Sequence, residues 1–292
     1  MLDTSAQQPQ TASAERPALE REQRAKDEAR PSSHGTDHVP AITRVIRHFN
    51  THLGKRHTLE ELAEIAGCSI WHFDRVFHKI THLSPMAYLS ASRMEAAKRL
   101  LVTSDALIID ICYEVGYTSL GSFGKRFTKM IGLSPRRVRT LSRRFDADEF
   151  RAMFRETIPV APMEHPVQFT AAAPDAESED YLVFAGLFNS EVPTLEPASC
   201  AIREGMGLLS MPAPPAGRYR AFAVGIPVDA DAEDMILQDL TLRGGQDPII
   251  VPEHDTPSTV EVEVALRPPN PLSAPLLPIM PLMLQQRLDR MK

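Results

Sequence analysis

Trp71, Asp74, Arg75 and His78 recur at i, i+3, i+4 and i+7, the spacing that gathers side chains on one ridge of an α-helix. Arg75 carries a planar fork of donors able to bond guanine O6 and N7 together. Asp74 can accept from cytosine N4, and Trp71 joins an indole N–H to an apolar surface suited to a thymine methyl. The chemistry in prospect is recognition of base edges, with Ser69 and Lys79 flanking the ridge. Fifty residues on, the equivalent positions are Gly121, Gly124, Lys125 and Thr128, with Ser119, Ser122, Arg126 and Lys129 around them. This second set holds few base-reading groups but can grip phosphate through Lys125, Arg126 and Lys129. Two glycines inside a helix cost about 1 kcal/mol each relative to alanine, so their presence points to close backbone approach by DNA or by a neighbouring helix. The first set is expected to discriminate sequence and the second to hold the sugar-phosphate backbone.

Motifs for bond-making are missing from the sequence: it has no P-loop, GxSxG, HExxH or dinucleotide fingerprint. The three cysteines, Cys68, Cys112 and Cys200, are odd in number and far apart, in neither a CxxC nor a clustered-histidine spacing. That argues against a disulfide framework or a zinc finger, and no metal or cofactor is expected. Cys68 and Cys112 fall in apolar helical patterns and read as small buried side chains.

The elements that carry the two ridges follow from periodicity. Ile42, Val45, Ile46 and Phe49 lie at helical spacing ahead of a stop near Gly54. Thr58-Leu59-Glu60-Glu61 reads as a capping box, the Thr58 hydroxyl taking an orphan N–H while Glu61 reaches back, and opens a short helix through Ala66. Gly67 permits a turn, Ser69 caps the next helix, and Phe73, Val76, Phe77 and Ile80 form its apolar stripe. Two short helices around a glycine turn make a helix-turn-helix. Ser84-Pro85 then opens a connecting helix of about 17 residues, running to Leu101 and roughly 26 Å long, which can hold two modules near one DNA turn, about 34 Å, apart. The second module follows as a repeat: Ser69, Phe73, Phe77, Lys79 and Leu83-Ser84-Pro85 correspond to Ser119, Phe123, Phe127, Lys129 and Leu133-Ser134-Pro135.

Charge divides the chain in the same place. Residues 41–145 hold 17 Lys and Arg against 8 Asp and Glu, a net +9, while residues 146–292 hold 10 against 23, a net −13. Such asymmetry is the footprint of one domain that meets a polyanion and another that does not. A length of 292 residues is comfortable for two cores. Residues 1–40 are too polar to offset the entropy of ordering and read as a disordered tail. The beginning of the chain lacks the apolar stretch of a secretory signal and no run is long enough to span a membrane, so a cytoplasmic location is expected, with oligomeric state open.

The segment SPMAYLSASRMEAAKRLLVTSDALIIDICYEVGYTSLGSFGKRFTKMIGLSPRRVR, residues 84–139, with WHFDRVFHKI, residues 71–80, resembles the AraC/XylS family of bacterial transcription regulators. The resemblance covers about 100 residues. It implies an all-α double helix-turn-helix domain of seven helices at 41–141, with two recognition helices in successive major-groove segments on one face of double-stranded DNA. It also implies RNA polymerase as a partner and activation more often than repression. The positions of Trp71 and Arg75 match typical DNA contacts of the family. The chain departs from the family where Val138 precedes Arg139 in place of tyrosine, and where Cys112 follows Ile111 in place of alanine. Both keep an apolar group at a packing position. Arg136, Arg137, Arg139, Arg143 and Arg144 add a basic run that either clamps the DNA backbone or solvates a surface. Some proteins carrying this module repair alkylated DNA through a reactive cysteine, but Cys200 lacks the Pro-Cys-His arrangement, so the chain reads as a regulator and not an enzyme.

Beyond Phe145 a charged helical stretch leads to a loop from Pro159, with 142–165 as a linker. Strands are predicted at Tyr181 to Phe188, Arg218 to Val224, Ile249 to Val251 and Val260 to Leu266, and a helix at Asp231 to Leu242 closed by Gly244-Gly245. The chain is therefore expected to be multidomain, the all-α part followed by a small α+β domain at 166–292. PAGRYRAFAVG, residues 215–225, resembles gyrase-inhibitor-like effector-binding domains, which implies a cleft for a small molecule. Glu261 and Glu263 either face a cationic effector there or lie on the wet face of a sheet. The alternative is an interaction module without a ligand. The tail RPPNPLSAPLLPIMPLML is expected to pack as an extended strap, or to dock a partner, and not to form a helix.

Overall fold

The computed structural model describes residues 38–155, 166–173, 180–189, 197–238, 241–253, 259–270, 272, 275 and 277–291. The tail expected over 1–40 and the loop from Pro159 lie almost wholly outside them. No helix among the described residues is long and apolar enough to cross a membrane.

The N-terminal part is helical: α1 (Val39–Thr51), α2 (Leu59–Ala66), α3 (Ile70–Thr81), α4 (Pro85–Thr103), α5 (Ile108–Glu114), α6 (Leu120–Ile131) and α7 (Pro135–Ser142). The starts of these helices are written locally. The Thr58, Ser69 and Ser119 hydroxyls accept from the N–H of Glu61, His72 and Ser122 at 3.2, 3.4 and 3.3 Å. Ser84 and Ser134 each accept at 3.3 Å, from Ala87 and Arg137, ahead of a proline whose missing N–H is not needed in the first turn. The capping box forms only in half. The Glu61 carboxylate turns instead to His48 Nε2 at 3.6 Å and His57 Nδ1 at 4.0 Å.

The internal repeat is equally plain in the packing, where Phe73, Phe77, Phe123 and Phe127 are each 0% exposed. Between the two units runs α4, at 19 residues roughly 28 Å long. Its Tyr88 and Leu89 join the core of α1–α3, while Ala91, Met94, Ala97 and Leu101 join the core of α5–α7. One helix is thus buried on several sides and serves as the strut between both.

Strands β1 (Pro166–Ala172), β2 (Tyr181–Phe188), β3 (Ser199–Glu204), β4 (Gly207–Pro212), β5 (Gly217–Pro227), β6 (Leu242–Val251) and β7 (Val260–Ala265) form two sheets. Their orders are β4-β1-β7, with β1 and β7 parallel, and β3-β2-β5-β6, antiparallel throughout. Val183, Ala185 and Leu187 of β2 pack into one core with Phe169 of β1 and Val262 of β7 in the smaller sheet. Leu182 and Phe184, on the other face of β2, join the core of α5–α7. A strand buried on both faces explains the unbroken apolar run YLVFAGLF.

The helices α8 (Ala147–Arg155), α9 (Ala232–Leu237) and α10 (Met280–Met291) complete this layer. Phe145 and Phe150, in the segment expected as a linker, are buried in the shared core, and Arg151 donates to the Ala230 carbonyl at 2.7 Å.

Two expectations are overturned in the C-terminal part. The helix expected over 231–242 ends at Leu237, where Gln238 takes φ 62, and Gly244-Gly245 belong to β6. Gly244 serves close approach, not helix termination, since a Cβ there would stand 2.4 Å from the Ala265 carbonyl oxygen. The expected strap becomes helical from Met280, because Pro281 falls in the first turn and no proline follows it. β1, β3 and β4 were not anticipated.

Candidate nucleic-acid interface

On α3 the buried stripe is Phe73, Val76, Phe77 and Thr81, which leaves Trp71, Asp74, Arg75, His78 and Lys79 on the exposed side. Trp71 is 61% exposed, an unusual setting for the only tryptophan in the chain. The Arg75 guanidinium lies 3.4 Å from His72 Nδ1, a contact at the long limit of a hydrogen bond. Burial, then His38 and Arg75, push the His72 pKa below its ordinary value, which favours the neutral ring able to accept from Arg75. Ser69 is half-buried and committed to its cap.

The same geometry recurs on α6. Phe123, Phe127, Met130 and Ile131 face inward, and Gly121, Ser122, Lys125, Arg126, Thr128 and Lys129 face out. Gly124 is half-buried. Lys125 and Lys129 make no hydrogen bond or ion pair among the described residues. Arg126 differs: its Nε donates to Ser90 Oγ on α4 at 3.2 Å, tying α6 to the strut. Ser119 and Ser122 cap the helix start, the Ser122 hydroxyl donating to the Ser119 carbonyl at 2.9 Å, and Thr128 donates to the Gly124 carbonyl at 2.8 Å.

The glycines of this face separate two readings. A Cβ at Gly124 would meet nothing within 4 Å, and one at Gly121 would meet only Ser119 Oγ at 3.9 Å. Neither glycine makes room for a neighbouring helix. Gly124→Ala should therefore raise the stability of the free protein by about 0.5–1 kcal/mol, read as a higher midpoint in thermal unfolding. A loss of stability would reveal a packing role that the open space argues against.

The basic run after α6 divides as well. Arg136, Arg143 and Arg144 are exposed, but Arg143 pairs with Asp105, and Arg139 donates to the carbonyls of Leu101 at 3.5 Å and Ala106 at 2.7 Å. These two anchor α7 to the end of α4, leaving less of the run for a phosphate clamp. Val138 and Cys112 both sit at 0% exposure, so the two departures from the family pattern fill packing positions.

The sequence reading passed over Arg93. Its Nε donates to the Leu53 carbonyl at 2.9 Å and its Nη2 to the Lys55 carbonyl at 2.6 Å, while the guanidinium lies 6.0 Å from the centre of the Tyr117 ring. One side chain on α4 thus touches both units and sets their mutual orientation. Its only local signal was a charge in a helix that periodicity already marked as buried.

Glu261 and Glu263 alternate with buried Val262 and Val264 and lie on the exposed face of β7. A small apolar cavity is lined by Phe184, Phe188, Phe222, Val224, Pro278 and Met280, on the opposite side of the fold. The structure does not bring the two glutamates to it.

Residues 62–141 match a family model described as a helix-turn-helix domain. The chain is 32% identical over 94 residues to the HTH-type transcriptional activator AarP of Providencia stuartii, covering 32% of this chain and 70% of AarP. It is 28% identical over 131 residues to YbfP of Bacillus subtilis, an HTH-type transcriptional regulator, covering 44% of each. It is also 31% identical over 99 residues to AdaA of Bacillus subtilis, a bifunctional transcriptional activator and DNA repair enzyme, covering 34% of this chain and 47% of AdaA. The matches span less than half the length of YbfP and of AdaA.

Proposed function

The chain belongs to the AraC family of helix-turn-helix transcription regulators, and we propose that it regulates transcription by laying α3 and α6 into successive major-groove segments on one face of a duplex. The observation that carries this reading is the pair of serine-capped helices, each with phenylalanines inward and a polar ridge outward, held by one strut. In this reading α3 discriminates bases through Trp71, Asp74, Arg75 and His78. Meanwhile α6 grips phosphate through Lys125 and Lys129, and Gly121 and Gly124 let its backbone approach the groove. The name of AarP supports activation as the sign of regulation, and RNA polymerase is the protein partner that this reading proposes.

Burial pushes the thiols of Cys68 and Cys112 up, which disfavours the thiolate that repair chemistry needs, and the exposed Cys200 lacks a Pro-Cys-His arrangement, so regulation is preferred over the second activity named for AdaA. Any effector of the C-terminal part is better sought at the apolar cavity than at Glu261 and Glu263. As it stands the cavity is too small for more than a water-sized group, so an apolar effector would have to open it against the core that the sheet shares with α5–α7.

The test is selection of bound duplexes from random sequence by the purified full-length chain, followed by footprinting and salt titration. Protection should cover two successive turns on one face, and log K should fall linearly with log salt, by about 0.9 per phosphate contacted. Equal binding to all duplexes at every salt concentration would end the proposal.

A further inference from the structure

His48 on α1, His57 in the loop after it and Glu61 on α2 converge, although their spacing in the sequence follows no metal motif. His48 Nε2, His57 Nδ1 and a Glu61 carboxylate oxygen all lie within 4.8 Å of one another. The His57 side chain is fully buried, and its Nε2 lies 3.0 Å from the His52 carbonyl oxygen. Only an N–H can satisfy that carbonyl, so the ring proton sits on Nε2 and Nδ1 presents its lone pair to the cluster. Both Nδ1 of His57 and Nε2 of His48 are buried without a hydrogen-bond partner.

The His57 Nδ1 lone pair and the Glu61 carboxylate repel one another unless a positive charge lies between them, and His48 Nε2 can join them as a second nitrogen donor once its proton leaves. An imidazole that donates its far N–H to a backbone carbonyl is also the usual way a protein orients a metal-binding histidine. We propose that His48, His57 and Glu61 hold one divalent transition-metal ion of the zinc type, with water in the remaining position. Mixed nitrogen and oxygen donors select Zn2+, Co2+ or Ni2+ over Ca2+ and Mg2+, which take oxygen ligands. In a tetrahedral site with bonds of about 2.0–2.2 Å, ligand atoms stand roughly 3.4 Å apart. The contacts run from Glu61 Oε1 to His48 Nε2 at 3.6 Å and from Glu61 Oε2 to His57 Nδ1 at 4.0 Å, with all three donors within 4.8 Å, so an ion must draw them together, and the Glu61 side chain, 46% exposed, has the freedom to move. His52 does not compete through Nδ1, which is engaged with Thr51 Oγ1 at 2.9 Å and the His48 carbonyl at 3.1 Å. Bound there, the ion ties the end of α1 to the start of α2, away from the exposed ridge of α3. The site stands independently of DNA reading.

The experiment strips the full-length chain with a chelator and titrates it with Co2+, then with Zn2+. One equivalent of Co2+ should bind with visible ligand-field absorption and be displaced by Zn2+. His48→Gln and Glu61→Gln, at partly exposed positions, should each weaken binding by roughly 100-fold or more, since even an outer partner of a ligand is worth about 10- to 100-fold. His72→Gln and His82→Gln should leave it unchanged. Equal affinity in H48Q, E61Q and the wild type would overturn the site, leaving only casual binding by surface histidines, as would failure to take up Co2+ at all. X-ray absorption of the zinc-loaded wild type reads the site without any substitution. Two imidazole nitrogens with one carboxylate oxygen are expected, and a shell of oxygens alone would overturn it.

Discussion

Arg75→Ala is expected to weaken binding to the preferred duplex by about 5- to 150-fold, the equivalent of about 1–3 kcal/mol, and to relax discrimination at one base pair. The size follows from the geometry of the guanidinium, which supplies two parallel donors that no neighbouring side chain can replace. Arg75 is exposed on α3 and held only by the 3.4 Å contact with His72, so little must be broken before it meets a base. Lys125→Ala should behave differently. It loses affinity equally on all duplexes and lowers the slope of log K against log salt by about 0.9. Binding measured on a panel of singly mutated sites distinguishes the two. Altered base preference in K125A with unaltered preference in R75A would reverse the roles given to α3 and α6.

Phe150→Ala is expected to cost about 3–5 kcal/mol, a large share of the 5–15 kcal/mol that holds a typical domain together. Phe150 is 0% exposed, stacks on Phe184 of β2 with ring centres 6.4 Å apart and planes inclined by 14°, and touches Phe145 at 5.2 Å. The cavity left by its removal would open between the helices and the four-stranded sheet, where rigid elements from both sides limit collapse. Hydrogen exchange should then show the strands opening before α4 and α6 do, whereas in the wild type both should open together. A cost under about 1 kcal/mol, with unchanged exchange, would mean that sheet and helices are stable separately.

Most of the helical part was legible because its determinants are local. A serine hydroxyl meets an N–H three residues away, a proline suits the first turn, and an apolar stripe at a 3.6-residue period needs no knowledge of the partner it packs against. The exposed ridge of α3 follows as the complement of that stripe. β2 and β7 were legible for a similar reason, β2 as a continuous apolar run and β7 as a strict alternation. β1 alternates too, with Val167, Phe169 and Ala171 inward, but it is short and adjoins proline-rich sequence that suggested a loop. The pair Gly244-Gly245 misled because glycine ends helices and also permits close strand approach, and only the path of β7 distinguishes the two.

What the amino-acid sequence determined alone was the set of capped helices, their repeat after 50 residues and the side chains each turns outward, since all of these arise from interactions within a few residues. Tertiary structure decided which of those side chains are free. It bound Arg126 and Arg139 to the strut, placed Arg93 between the two units, gathered His48, His57 and Glu61, and drew Phe145 and Phe150 into a core shared with the sheet. Each of these depends on contacts between segments that periodicity describes one at a time, and their meeting is set by how buried faces pack, which no local pattern encodes.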